Sequence, residues 1–78
     1  MKWHDYRMVI PEEEKQYLCC QVFGDVPYFF VADWSKNMQK VDEYELPKGA
    51  GFYDFDSEWG YYVSGCDYWC EIEWEDKE

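Results

Sequence analysis

Four cysteines and one histidine are the residues of this 78-residue chain best suited to chemistry: Cys19, Cys20, Cys66, Cys70 and His4. A zinc site built from them needs every donor ~2.3 Å or less from one ion, and such donors usually sit on C-x₂₋₄-C knuckles in turns. Cys19 and Cys20 are adjacent, so on a strand they point to opposite faces. Cys66 and Cys70 have knuckle spacing only if the chain bends between them; on one strand they stand ~13 Å apart. The spacing therefore favours free thiols packed as small hydrophobes over metal ligands. Cys20 and Cys70 fall on strands able to face each other, where air oxidation can bridge them.

Carboxylates are the second candidate chemistry. Asp54-x-Asp56-x-Glu58-x-Gly60 has the alternation of a calcium loop. It lacks that loop's frame, in which Gly and a distal bidentate Glu stand at fixed offsets. The intervening Phe55, Ser57 and Trp59 belong to the rim of a hairpin, and its acids read as solvated turn residues. His4 lies beside Asp5 with no Ser or Cys visibly paired to it. General acid–base work needs a pocket that tunes its carboxylates, and a domain this small has little room for one. No enzyme, metal or cofactor is expected.

The elements that position these groups follow from composition and alternation. A chain of this length makes one domain, 1–78, near the lower limit for a self-sustaining core. Its 18 aromatic residues compensate, since each buries roughly 150–250 Å². Net charge is −11, and it divides as −1 over residues 1–40 and −10 over residues 41–78. That balance disfavours nucleic acid and anionic membrane as direct ligands and favours a basic protein surface or cations. Acid that only keeps an aromatic-rich chain soluble is the plainer alternative. With no transmembrane or signal stretch evident, the expected location is cytoplasmic, with reduced thiols.

The reading divides the chain into an arm and turn (1–16), a hairpin (17–34), a loop with a short strand near Asp42–Leu46 (35–50), and aromatic-acidic strands (51–75). Val9 and Ile10 are the expected anchor of the arm. Leu18, Cys20 and Val22 face one side of the first strand, with Tyr17, Cys19, Gln21 and Phe23 on the other. Gly24-Asp25 turns the chain, and Tyr28–Trp34 is apolar on both faces, which predicts a central or covered strand. The fold expected is mainly β: one small, twisted antiparallel sheet of about five strands, or a partial barrel. The competitor is α+β, with a short helix from Ser35–Tyr44.

In the last strand, Cys66–Trp74, alternation places Tyr68, Cys70, Ile72 and Trp74 on the core face. Trp69, Glu71, Glu73 and Glu75 then form an exposed ladder, its glutamates ~6.6 Å apart. With Asp54, Asp56, Glu58 and Trp59 at the hairpin tip, these residues compose one continuous partner-binding patch. Trp and Tyr in an acidic field select basic partners.

The layout also resembles a group of small domain-of-unknown-function proteins common in phages, prophages and gut bacteria. The matching residues are Trp3, Pro11, Tyr17-Leu18-Cys19, Ala32-Asp33-Trp34, Phe52-Tyr53, Asp56-Ser57-Glu58-Trp59-Gly60-Tyr61-Tyr62 and Trp69-Cys70-Glu71-Ile72. Glu73 stands where the group usually has Pro, and Cys66-Asp67-Tyr68 replaces a more aliphatic run. The resemblance implies a phage-associated accessory protein, acting in the host cytoplasm, and brings no catalytic residues. With the acidic surface, two functions are expected ahead of a metal-binding module, which ranks third. One is an inhibitor that occupies the nucleic-acid groove of a host nucleic-acid-handling or defence protein. The other is an assembly module that pairs with another protein, or with itself, through an apolar face.

Overall fold

The hairpin at Gly24-Asp25 sets the sheet. In the computed structural model, which describes residues 2–73, strand β2 (Gln16–Phe23) pairs antiparallel with β3 (Val26–Ser35) from Gln16↔Asp33 to Phe23↔Val26. Gly24 takes φ +63°, a left-handed conformation that glycine adopts without steric cost. Strand β4 (Gly51–Asp56) adds to the far edge of β3, and β5 (Gly60–Val63) folds back on β4. On the other side, β6 (Tyr68–Cys70) pairs with β2, and β1 (His4–Asp5) pairs with β6. The product is one six-stranded antiparallel sheet, ordered β1-β6-β2-β3-β4-β5 and not closed into a barrel. Among the described residues the only helical element is a 3₁₀ turn at Met38–Lys40.

One face of the sheet carries the core. Tyr17 and Cys19 of β2 meet Ala32 and Trp34 of β3, Phe52 of β4 and Trp69 of β6, with Tyr6, Phe30 and Cys66 packed against them. Phe52 sits among three rings, its centroid 5.1 Å from Trp34, 5.2 Å from Tyr6 and 6.2 Å from Tyr17. Tilted and edge-on arrangements of this kind add ~0.5–1.5 kcal/mol per pair to the burial itself. The indole N–H of Trp34 is buried with no hydrogen-bond partner among the described residues. Met38 and Leu46 are buried in the segment that joins β3 to β4.

The link from β5 to β6 covers this face and ties it down through Asp67. The Asp67 N–H donates to the Cys20 carbonyl at 2.8 Å, and its carbonyl accepts from the Tyr6 N–H at 3.0 Å. Its carboxylate accepts from the Val22 N–H at 2.7 Å. One residue thus holds the arm, the crossing and β2 together.

Several expectations are corrected. The segment 35–50 holds no strand at Asp42–Leu46; it is a series of turns, in which Asn37 and Asp42 side chains accept backbone N–H groups. Short polar side chains of this type compete with regular structure for the backbone. Val9 and Ile10 are exposed and Tyr6 anchors the arm instead; Val9 contributes its backbone, whose carbonyl accepts from the Trp69 indole at 2.8 Å and whose N–H donates to the Asp5 carbonyl at 2.9 Å. Nor is β3 covered throughout. Beside Asp33, Trp34 and Ser35 it has β4; from Val26 to Val31 its outer edge has no strand among the described residues. Trp34 donates its N–H to Lys15 on the β2 side, so the backbone groups of Pro27, Phe29 and Val31 point to that free edge. Proline suits such an edge because it leaves no orphan donor there.

Candidate interaction surface

The register of β6 decides which proposed contact residues a partner can reach. Trp69 lies opposite Cys19 and His4, on the core face, and is 4% exposed. Its ring packs 5.0 Å from Tyr17 and 4.5 Å from His4. The expected exposure of Trp69 is therefore wrong. Strand alternation is obeyed, but the core lies on the side opposite to the one that four apolar residues suggested. Tyr68 and Cys70 point to the second face, and β6 ends at Cys70.

The acidic ladder is corrected with it. Glu71 and Glu73 are exposed but lie beyond the strand, so no two-residue repeat aligns them. Glu71 Oε1 accepts from Lys15 Nζ at 2.7 Å, and the same ammonium lies 3.4 Å from Glu13. Glu71 foremost holds the Lys15 ammonium above its ordinary range, while desolvation opposes it. This group lines a 460 Å³ groove with His4, Val9 and Ile10. Glu75 lies outside the described residues.

The other half of the expected surface forms as an arm. Only three residue pairs, Asp33↔Tyr53 to Ser35↔Gly51, join β4 to β3. Beyond them the β4–β5 hairpin continues through Asp54↔Tyr62, Phe55↔Tyr61 and Asp56↔Gly60. Asp56 Oδ1 accepts from the N–H groups of Glu58 and Trp59 at 2.7 and 3.1 Å, which fixes the turn. Asp54 accepts from the Phe55 N–H at 2.7 Å and, at 3.5 Å, from the Tyr62 hydroxyl. Gly60 closes the turn at φ +88°. Trp59 stands at its end, 79% exposed. Along the arm Phe55 packs on Tyr61 at 4.9 Å, and Tyr61 on Tyr53 at 5.9 Å.

The two acidic groups do not form one patch. β6 runs from Tyr68, opposite Cys20, to Cys70, opposite Leu18, and so delivers Glu71 to the Lys15 end of β2. The β4–β5 tip lies on the other side of the sheet, and β4 runs away from that end. Asp54, Asp56, Glu58 and Trp59 are together; Glu71 and Glu73 are elsewhere.

The sequence reading expects an apolar face for an assembly module but does not name its residues. The second face of the sheet carries Trp3, Val22, Phe29, Val31 and Tyr68, all more than a third exposed, around the buried Cys20. Trp3 and Phe29 lie 5.8 Å apart beside a 320 Å³ hollow. The signal was present in the apolar residues on both faces of β2 and β3, of which the sheet covers the second only around Cys20 and Cys70.

The chain matches no known family model, no curated protein and no solved structure. Among the described residues no group of three or more His, Cys, Asp or Glu side chains is placed to hold a metal ion. None of their helices is long and apolar enough to cross a membrane.

Proposed function

We propose that the protein is a binding module that takes a basic protein partner on the β4–β5 arm. Trp59 enters the partner, and Asp54, Asp56 and Glu58 meet its cations. The observation that carries this reading is the Trp59 indole, 79% exposed on a turn whose two aspartates are already fixed by hydrogen bonds. A rigid Trp loses little freedom on binding and makes a strong interface anchor. From Gly49 to Glu73 the sequence holds six acids and no base, so the arm repels other acidic surfaces and attracts basic ones. The resemblance to phage-associated proteins supports an accessory role, in which the basic surface is the nucleic-acid groove of a host protein and its occupation is inhibitory. Groove cations that pair with phosphates, one charge per ~3.4 Å of strand, suit a compact cluster of carboxylates.

The test is capture from a bacterial lysate by the parent, by the Asp54→Asn, Asp56→Asn, Glu58→Gln triple variant, and by Trp59→Ala. The parent should retain a basic protein that salt releases and that nucleic acid displaces. Both variants should lose it while keeping the parent's circular dichroism spectrum. Equal capture by all three chains rejects the arm as the contact. A second reading, the assembly module, rests on the apolar second face. It expects a partner that resists salt and is lost with Phe29→Ser.

A further inference from the structure

Strand β3 pairs with β2 along its length but with β4 only from Asp33 to Ser35. On the outer edge before that point, the N–H and C=O of Phe29 and Val31 and the C=O of Pro27 have no partner among the described residues. Edges of this kind are normally blunted by charge, a bulge or a covering loop. Residues 26–32 carry no charge, and the register with β2 runs through them without a bulge. Val26, Tyr28 and Phe29 are each more than half exposed. Pro27 ends the run of donors, so the edge fits a short strand.

The hollow beside the edge decides what that strand must carry. Where β4 parts from β3, Tyr28, Phe30, Asp54, Tyr62 and Val63 are among the residues lining a 370 Å³ space. Asp54 is half-buried there, its carboxylate 3.5 Å from the Tyr62 hydroxyl, and none of the lining residues is basic. Register puts Tyr28, Phe30, Asp54 and Tyr62 on the core side of the sheet. Phe29 and Val31 point the other way, into the exposed apolar face beside Trp3. A strand laid along this edge therefore alternates. Its residues opposite Tyr28 and Phe30 turn toward Asp54, and those opposite Phe29 and Val31 extend the apolar face.

We propose that the free edge of β3 takes up an extended segment of the basic partner as an added strand, in which lysine or arginine alternates with apolar residues. This rests on the reading of the acidic arm as the seat of that partner, and it adds where the partner's main chain lies. Backbone hydrogen bonds to Pro27, Phe29 and Val31 supply affinity, as strand addition generally does, and the Asp54 carboxylate selects a cation. A second copy of this chain is the poorer occupant, because the same uncharged edge brings no cation to Asp54 and each chain carries a net charge of −11.

The experiment uses the full isotope-labelled chain and a short synthetic peptide of alternating lysine and valine, blocked at both ends. In the free protein the Phe29 and Val31 amides should exchange with solvent quickly, and those of Tyr28 and Phe30, which face β2, slowly. With peptide at about ten times its dissociation constant, exchange at Phe29 and Val31 should slow about tenfold. A glutamate–valine peptide, and a lysine–valine peptide with methylated backbone nitrogens, should not bind. Asp54→Asn should weaken the lysine–valine peptide about fivefold. Protection of Phe29 and Val31 without peptide, rising with protein concentration, makes a second copy the occupant and overturns the proposal. So does failure of the lysine–valine peptide to bind, binding that leaves both amides unprotected, or equal binding by the methylated peptide. Those results leave the capture experiment on the arm untouched. Equal capture by the Trp59→Ala and triple variants fails the arm instead, without changing the protection at Phe29 and Val31.

Discussion

Replacing Trp69 by alanine separates the core assignment from the exposed one on which the alternation of the last strand insisted. The side chain is 4% exposed, packs edge-on against Tyr17 and tilted against His4, and donates to the Val9 carbonyl at 2.8 Å. Truncating a buried Trp costs ~3–5 kcal/mol through lost transfer energy and the cavity it leaves. The hydrogen bond adds ~1 kcal/mol at most, since the Val9 residue is exposed and water can replace the donor. A chain of this size has a total stability of ~4–12 kcal/mol. Trp69→Ala should therefore lose about a quarter of its stability or more. With a urea dependence of ~1 kcal/mol per molar, the midpoint moves down by ~3–5 M, and a protein at the weak end of the range does not fold. Trp59→Ala, an exposed change, should stay within ~0.5 kcal/mol of the parent. Urea titration followed by far-ultraviolet circular dichroism avoids relying on the fluorophore that is removed. A Trp69→Ala midpoint within error of the parent, with Trp59→Ala shifted instead, would mean the β6 register is wrong.

Two further outcomes follow from local chemistry. Burial foremost, and then the Asp54 charge, raises the Asp33 carboxyl above its ordinary range, so its ionised form is more costly in the folded than in the unfolded chain. The penalty is full above the folded value and vanishes below the unfolded one; Asp33→Asn should raise the melting temperature at pH 7 and lose that advantage near pH 3, as a pair of thermal scans will show. At Gly60, where an added Cβ meets no atom within 4 Å but φ is +88°, alanine should cost ~1 kcal/mol from backbone conformation alone; a neutral result in urea titration would show that the arm relaxes its turn.

Much of the sheet was legible because β2 and β3 announce themselves: branched and aromatic residues, a Gly-Asp turn, and a division of faces that the structure keeps. What alternation did not reveal was which face holds the core. Leu18, Cys20 and Val22 on one side are as apolar as Tyr17 and Cys19 on the other. The choice is made by Phe52, Trp34 and Tyr6, which come from distant positions and share no local pattern with β2. Trp69 follows β2 through its register with Cys19, so one ambiguity upstream reversed the reading of β6. Met38 and Leu46 were hidden for a different reason: single apolar residues in a polar loop carry no period, and only the closed structure shows that they are buried. The turn at Asp56–Gly60 was readable because its acids and glycine act locally, on backbone groups two and three residues away.

The pairing of β1 with β6 has a consequence for the order in which this protein assembles during synthesis. His4 faces Trp69, so β1 leaves the ribosome well before β6, the strand that pairs with it. At ~5–20 residues per second the interval is ~3–13 s. Meanwhile the central hairpin can close on its own, but Tyr17 and Cys19 lack the indole that will cover them. The nascent chain thus spends seconds as a half-built sheet, its β2 edge open on the side that β6 will occupy. That edge offers the same backbone groups to any passing strand, and arrival of β6 is what withdraws the offer.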